Sequence, residues 1–457
     1  MAPSQHQSVG IVGGGLAGLA AGCALSEAGL KVTLFERRPY VGGRASSYEH
    51  PGTGEVVDNC QHVLLGCCTN LVHFYGTLGV SDKIRWFDEL TFLEPGGRAS
   101  RFAPTRFLPA PMHNVPAFLG AHMLSAKDKL AIARAMFALT RGLPDSQENF
   151  LSWLVRHGQT ARAIERFWKT VLVSALNEDL DRVSTRYAAQ VFRESFMNSP
   201  EAGRMGVPNI PLSQLYSAAI QYIQARGGEV LLRSAANAIT PQTGRVEVAT
   251  SAGDRSFDYV VLAAPFQNAA ALLPGDQFAA PLKRQLEHFE ASPITGIHLW
   301  FDREITPLPH AVLLDRTIQW MFQKSKFQDE REGPGSYMEL VVSASRSLVQ
   351  KSREEVLDLA LRELRDFFPL AKEANVVKAA VIKEVYATYS VLPGLDQFRP
   401  QARTEWPGIV LAGDWTASGW PATMEGAVRS GYLAAEAITA KKLLASDLQP
   451  RGLMRLL

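Results

Sequence analysis

Three glycines near the N-terminus, Gly13, Gly15 and Gly18, are spaced as G-x-G-x-x-G after a short apolar run. In such a turn the first glycine permits a tight bend, the second lets backbone amides approach a pyrophosphate, and the third lets a helix pack on a strand. Glu36 follows at the distance where a carboxylate accepts hydrogen bonds from ribose hydroxyls and repels a 2′-phosphate. These residues predict a dinucleotide site.

The elements around these residues come in the order that such a site needs. Residues 8–12 predict a strand, residues 16–28 have helical character, and residues 30–35 predict a second strand. In this βαβ unit the helix begins at the glycines, so the positive end of its dipole faces the phosphates.

Two further segments carry groups suited to the same ligand. Gly43 and Arg44 follow soon after the second strand and offer a close backbone approach and a guanidinium for phosphate oxygens. Near the other terminus, a strand at 409–412 leads to Asp414, and a helix at 424–441 presents free amides at its start. We therefore expect the two ends of the chain to meet at one ligand.

Composition excludes several classes of protein. The 457 residues are 46% hydrophobic and 20% charged, and 47 Lys and Arg against 45 Asp and Glu leave a net charge of +2, which argues against nucleic-acid binding. The four cysteines form no C-x-x-C pair, which predicts neither a metal site nor a disulfide framework and favours a reducing cytoplasm. The first seven residues carry no Lys or Arg, unlike a signal peptide, and no window is apolar enough to span a bilayer.

Three motifs resemble the amine oxidase and phytoene desaturase superfamily of FAD enzymes: GGGLAGLAA, ERRPYVGGR and AGDWTASGWPATMEGAVRSG. The resemblance implies an FAD cofactor, with Asp414 at its ribityl or pyrophosphate part and the amides near Met424 at the flavin ring. By motif and resemblance together, the residues expected to bind FAD are Gly13, Gly14, Gly15, Leu16, Ala17, Gly18, Glu36, Arg37, Gly43, Arg44, Ala236, Asp414, Met424 and Glu425.

The same resemblance implies an α/β fold, α+β in part, with a Rossmann-type FAD-binding domain of the GR2-like flavoprotein type. We assign residues 1–90, 206–285 and 393–445 to that discontinuous domain, which includes a small β-meander at 229–262. Residues 91–205 and 286–392 are expected to form a helix-rich substrate domain.

Three other segments, DNCQHVLLG at 58–66, FLPAPMHNVPAFL at 107–119 and VLPGLDQFRP at 391–400, resemble the squalene-associated FAD-dependent desaturases, also called hydroxysqualene dehydroxylases. That branch implies reductive dehydroxylation of hydroxysqualene to squalene, a C30 isoprenoid of hopanoid biosynthesis. The electron donor is unknown.

Two residues of the first of these segments are candidates for the acid that such a reaction needs. His62 is the first candidate, because imidazole titrates near neutrality. Asp58 would orient His62, or would itself be the acid if burial raised its pKa. A structural histidine beside FAD is an equally good interpretation of His62.

The sequence leaves other functions open. One alternative is oxidative desaturation of a carotenoid-like polyene, in which hydride runs the other way. Amine oxidation is a second alternative, although Thr423 stands where many amine oxidases of the superfamily have an aromatic cage residue. A third is a binding module without a working flavin, which the complete phosphate motif argues against.

The inserted segments are rich in apolar side chains. An aromatic stripe at helical spacing is core more often than pocket, so we expect most of the aromatic residues to be core; they are Phe92, Phe102, Phe107, Phe118, Phe137, Phe150, Trp153, Phe167, Trp168, Phe192 and Phe196. Residues 107–124 are apolar but interrupted by prolines, which predicts either core packing or a lip that enters a membrane interface. The protein would then be cytoplasmic and peripheral on the membrane.

Overall fold

The computed structural model describes residues 7–142, 144, 147–328 and 335–456. Its strands are β1 (Ser8–Val12), β2 (Lys31–Phe35), β3 (Ser47–Glu49), β4 (Val56–Asp58), β5 (Leu64–Leu65), β6 (Ile84–Phe87), β7 (Leu90–Leu93), β8 (Ala99–Phe102), β9 (Met205–Pro208), β10 (Glu229–Leu231), β11 (Ala236–Gln242), β12 (Arg245–Thr250), β13 (Arg255–Phe257), β14 (Tyr259–Leu262), β15 (Ala291–Phe301), β16 (His310–Leu313), β17 (Trp320–Gln323), β18 (Ser336–Ser343), β19 (Val376–Tyr389) and β20 (Ile409–Leu411).

The α-helices are α1 (Leu16–Glu27), α2 (Thr69–Leu78), α3 (Val115–Gly120), α4 (Ala126–Thr140), α5 (Phe150–Arg156), α6 (Ala161–Ala163), α7 (Thr170–Leu176), α8 (Thr185–Phe192), α9 (Leu212–Gln224), α10 (Phe266–Leu272), α11 (Ala279–Leu286), α12 (Arg346–Val349), α13 (Arg353–Phe367) and α14 (Met424–Thr439). Two π-helical stretches, Ile164–Lys169 and Arg193–Met197, extend α6 and α8. No helix of the described part of the chain is long and apolar enough to cross a membrane.

A parallel five-stranded sheet forms the first layer, in the order β10-β2-β1-β14-β20. Its strands come from both termini and the middle of the chain, as the sequence predicts for a Rossmann-type domain. Helix α1 packs closely on α14, where a Cβ at Gly431 would lie 2.3 Å from the carbonyl oxygen of Ala17. An antiparallel meander is present as β11-β12-β13, but the predicted runs at both ends of 229–262 are mostly strands β10 and β14 of the parallel sheet.

A second sheet has seven strands in the order β19-β15-β18-β17-β16-β7-β8. The expectation of a helix-rich second region is correct for residues 115–197 but wrong for residues 291–389, which are mainly sheet. Strand β18 is buried along its whole length and β15 nearly so. A strand covered on both faces has no alternation of polar and apolar residues, which is the pattern that identifies strands in a sequence.

Candidate active site

A cavity of about 1270 Å³ is bordered by both the parallel sheet and the second region. Pockets for a single drug-sized ligand typically measure about 300–1,000 Å³, so this cavity is larger than one such ligand needs. Of the residues expected to bind the cofactor, those that line the cavity are Gly13, Gly15, Leu16, Ala17, Glu36, Arg37, Gly43, Arg44, Ala236, Asp414, Met424 and Glu425. Groups almost 400 residues apart in the chain thus meet at one cavity.

The glycine turn at the end of β1 is too crowded for side chains on its inner side. Gly13 has a φ of +114°, and a Cβ there would lie 2.7 Å from the carbonyl oxygen of Ala263. A Cβ at Gly18 would lie 1.9 Å from the carbonyl oxygen of Gly13, so only glycine lets helix α1 pack this closely on the end of β1. Gly18 itself does not line the cavity. At Gly15 the only atom that a Cβ would meet within 4 Å is the Gly43 Cα, at 3.8 Å. The space before Gly15 is therefore an open cradle bounded by backbone.

Glu36 ends the second strand and is 7% exposed. Its Oε2 accepts a hydrogen bond from the amide of Gly14 at 2.8 Å, and its Oε1 accepts one from the amide of Arg38 at 2.8 Å. Gly14 therefore acts by orienting this carboxylate and does not line the cavity. Each carboxylate oxygen keeps a second lone pair for a ribose hydroxyl.

Arg44 and Asp414 form an ion pair across the cavity wall, with 2.5 Å between Nη2 and Oδ1. Asp414 follows β20, and its side chain is 5% exposed, whereas that of Arg44 is 33% exposed. The pair joins the two ends of the chain. It presents a guanidinium and a carboxylate, the two groups that phosphate oxygens and sugar hydroxyls require.

The start of helix α14 borders the same cavity. Thr423 is its N-cap, because its hydroxyl accepts a hydrogen bond from the amide of Gly426 at 3.0 Å. Glu425 was expected to serve the cofactor, but its carboxylate accepts hydrogen bonds from the amides of Asn70 and Leu71 at the start of α2, at 3.2 and 2.8 Å. The Glu425 side chain therefore caps another helix, and burial raises its pKa.

His62 lines the cavity and is partly exposed to it. Its Nδ1 lies 2.7 Å from the carbonyl oxygen of Cys60, which can only accept, so Nδ1 donates and Nε2 carries the free lone pair. Burial lowers the pKa of His62, although the hydrogen bond to Cys60 and the charge of Asp58 oppose this shift. The imidazole is thus held in one tautomer at the cavity wall.

Asp58 does not orient His62, and the expectation that it is an acid with a raised pKa is wrong. Its Oδ2 accepts from Lys324 Nζ at 2.6 Å, and its Oδ1 accepts from the Ser47 hydroxyl at 2.5 Å. Burial raises the pKa of Asp58, but the charge and hydrogen bond of Lys324 and the hydrogen bonds from Ser47 and Leu212 outweigh burial and lower it.

Sequence reasoning missed the centre of this cluster, Lys324, which is 1% exposed. Besides Asp58, its ammonium donates to Gln61 Oε1 at 2.9 Å and lies 3.5 Å from Glu339 Oε2. Burial raises the pKa of Glu339 to about 8, although Lys324 opposes the shift. Burial lowers the pKa of Lys324, but the two carboxylates reverse this and raise it. The one available signal was a lysine directly after the apolar run of β17.

Nine of the eleven aromatic residues named for the second region belong to one hydrophobic core cluster or pack against it, as expected, and the exceptions are Phe107 and Phe137. Several of the eleven also border the cavity. Those that line the cavity are Phe92, Phe102, Phe118, Phe137, Phe167, Phe192 and Phe196. The ring centroids of Phe118 and Phe167 are 6.0 Å apart, and those of Phe167 and Phe192 are 5.7 Å apart. One part of the cavity is therefore a backbone cradle, and another, which we call the apolar end, is walled by these rings.

Comparison with known proteins identifies the family. The model of the flavin containing amine oxidoreductases matches residues 16–439. A 15-cis-phytoene desaturase of Synechococcus elongatus is 28% identical over 97% of this chain and 98% of its own length. A zeta-carotene desaturase of Synechocystis is 27% identical over 95% of this chain and 97% of its own length.

Solved structures show the same fold. A putrescine oxidase with bound putrescine superposes with a TM-score of 0.71 at 18% identity, covering 96% of this chain and all of that one. The open glycine cradle, the pair of Arg44 and Asp414 and the start of α14 fit an FAD molecule. Cradle, fold and family model agree that the chain belongs to the flavin-containing amine oxidoreductases and that its cofactor is FAD.

Proposed function

We propose that this protein exchanges hydride between FAD and a long apolar isoprenoid. The observation that carries the proposal is the continuity of one cavity from the glycine cradle to the wall of phenylalanine rings. Bound FAD supplies hydride exchange at its ring. The rings of the apolar end exclude water and hold a hydrocarbon chain, because burying apolar surface is favourable and undirected.

Oxidative desaturation is the first candidate, and the curated relatives favour it. The two relatives described above are a phytoene desaturase and a zeta-carotene desaturase, and each aligns with nearly the whole of this chain. In this direction two hydrogens leave neighbouring carbons, one as hydride to the oxidised flavin and one as a proton. His62 lines the cavity and has a free lone pair on Nε2, so it is the candidate base that accepts the proton.

Reductive dehydroxylation of a C30 allylic alcohol such as hydroxysqualene is the second candidate, favoured by the DNCQHVLLG segment at 58–66. In this direction a protonated hydroxyl leaves as water, and hydride from reduced flavin replaces it. The proton would come from His62 in its imidazolium form. Amine oxidation receives less support: Thr423 caps helix α14 where a cage needs an aromatic ring, and the likeness to putrescine oxidase concerns the fold alone.

One experiment separates the two directions. The purified holoprotein is mixed anaerobically, as oxidised enzyme with phytoene and, after dithionite reduction, with hydroxysqualene, and both flavin absorbance and products are followed. Desaturation predicts bleaching of oxidised flavin and a product with one more double bond. Dehydroxylation predicts reoxidation of reduced flavin and formation of squalene. If neither substrate reacts, whereas an amine bleaches the flavin, the isoprenoid proposal is wrong.

His62 is tested in the same assay. We expect His62→Ala to keep its FAD and to lose about 10²-fold or more in single-turnover rate, the typical contribution of a general acid or base. His62→Gln serves as a control of similar size that cannot transfer a proton. An unchanged rate in both variants would end the catalytic assignment, and loss of FAD in both would make His62 structural.

A further inference from the structure

Of the eight large apolar side chains of the described residues that are more than half exposed, five belong to two segments that pack together. Phe107 is 88% exposed and Leu456 is 83% exposed, and Leu119 and Leu130 are more than half exposed. They belong to two segments, 104–141 and 451–456, which we call the mouth surface. Isolated apolar residues on a protein surface are ordinary, but a contiguous group marks a binding site.

Packing joins the two segments of the mouth surface. The amide of Leu453 donates to the carbonyl oxygen of Ala110 at 2.8 Å. Met454 is buried against Ala110 and Met197, and Met136 of helix α4 packs on the same cluster. The C-terminal turn is thus fastened to the proline-rich segment.

The mouth surface also borders an opening of the cavity. Met112, Phe137 and Leu453 are 40, 55 and 46% exposed, and each of them also lines the cavity. A side chain with both properties lies where the cavity meets the outside. The apolar end therefore continues onto an apolar outer surface.

Charge is unevenly distributed on this surface. The two segments contain a single acidic residue, the buried Asp128, which caps helix α4. Two arginines have acidic neighbours outside the segments, since Arg106 pairs with Asp88 and Arg451 with Glu201. The basic residues are Arg106, Lys127, Lys129, Arg134, Arg141, Arg451 and Arg455. In a chain with a net charge of only +2, this is a strong local excess.

We propose that the mouth surface docks on an anionic lipid bilayer, so that the cavity opens directly into the hydrocarbon. Apolar side chains in the interface and Lys or Arg at the headgroups are the two features of a peripheral membrane contact. The docking itself follows from the surface alone. The passage of an isoprenoid from bilayer to cavity rests on the proposed function.

The test is sedimentation of the FAD-loaded protein with vesicles of phosphatidylcholine alone or of an equimolar mixture with phosphatidylglycerol. We expect binding to the mixed vesicles that weakens with salt. Phe107→Ser, Leu119→Ser and Leu456→Ser together should reduce partitioning by about tenfold for each inserted side chain. None of the three lines the cavity, so flavin absorbance and turnover of detergent-dispersed substrate should stay unchanged. Val155→Ser with Val377→Ser is the matched control, since both valines are exposed elsewhere.

Charge is tested separately with Lys127→Glu and Arg134→Glu. We expect these two substitutions to reduce binding to the mixed vesicles at least about tenfold. The control is Lys283→Glu with Arg284→Glu on helix α11, which is outside the mouth surface.

Three outcomes would overturn the docking proposal. The first is that mixed vesicles do not retain the wild-type protein, the second that the serine variants bind as well as the wild type, and the third that the control variants lose binding equally. If the wild-type protein does not bind vesicles, and light scattering shows that it is a dimer whereas the serine variants are monomers, a second copy of the chain covers the surface instead. Retained turnover in detergent with no vesicle binding would reject the docking and leave the proposed function intact.

Discussion

The two parts of the cavity are built in different ways. The cradle is made of backbone: a Cβ at Gly13 would collide with the Ala263 carbonyl and one at Gly43 with the Gly15 Cα, whereas Gly15 faces open space. The part of the wall formed by residues 58–62 depends instead on side chains, because Lys324 binds Asp58 and Gln61 from the side away from the cavity. A site made of backbone can be predicted from neighbouring residues in the sequence. A site made of side chains depends on partners that come together only in the folded chain.

Removing the cation behind the wall should have the largest effect on stability. Lys324→Met leaves Asp58 and Glu339 buried without their partner, and breaking a buried ion pair in this way costs about 3–5 kcal/mol. Urea unfolding followed by circular dichroism measures the loss. The double variant Lys324→Met with Asp58→Asn should recover part of it. If Lys324→Met unfolds like the wild type, the wall does not depend on this cluster.

A side chain in the turn behind the cradle should have the next largest effect. Gly18→Ala places a Cβ against the Gly13 carbonyl, and overpacking of this kind costs about 1–3 kcal/mol. We expect a lower ratio of flavin absorbance to protein absorbance as well, since the turn must move. Gly275→Ala is the control, because nothing lies within 4 Å of that position. Full flavin content in Gly18→Ala would contradict the crowding.

The pH dependence of stability tests the cluster around Lys324, which contains the titratable residue Glu339. Burial raises the pKa of Glu339 from 4.5 to about 8, so between these values the folded protein retains a proton that the unfolded chain has lost. Stability from this group therefore falls as pH rises through that window, by at most about 1.4 kcal/mol per pH unit. Glu339→Gln should remove that slope. The free energies of unfolding of variant and wild type, measured in urea from pH 5 to 8, check this prediction. If the two free energies change with pH in parallel, the prediction is wrong.

A change at the apolar end should cost least. Phe167→Leu removes ring contacts with Phe118 and Phe192 from a half-buried position, which typically costs about 1 kcal/mol. We expect normal flavin content and an increased KM for a long isoprenoid, since the apolar end loses contact area with the substrate. Reduced flavin content would mean that the two parts of the cavity are not independent.

Local sequence predicted the elements of the parallel sheet closely. Strand β1 has the predicted bounds, and α1 ends one residue before the predicted end. Apolar residues mark these elements, and glycines mark their ends, so neighbouring residues determine where each element begins and ends.

The side-chain parts of the site could not be predicted in the same way. Asp58 was paired with its sequence neighbour His62, but its partner Lys324 is 266 residues away. Glu425 was expected to serve the cofactor through the amides at the start of helix α14, and the role of its carboxylate at helix α2 was not predicted. Periodicity and spacing carry no information about such distant contacts.

The strand order of the parallel sheet has a consequence for synthesis. Strand β1 pairs with β2 soon after both have been synthesised, but its other neighbour β14 begins at Tyr259, and β20 and Asp414 come after residue 408. A nascent chain therefore carries strand β1 with one unpaired edge until β14 has been made, and it completes its cradle only after Asp414. We expect FAD capture to be post-translational and supply of the vitamin precursor riboflavin to determine how much chain escapes aggregation.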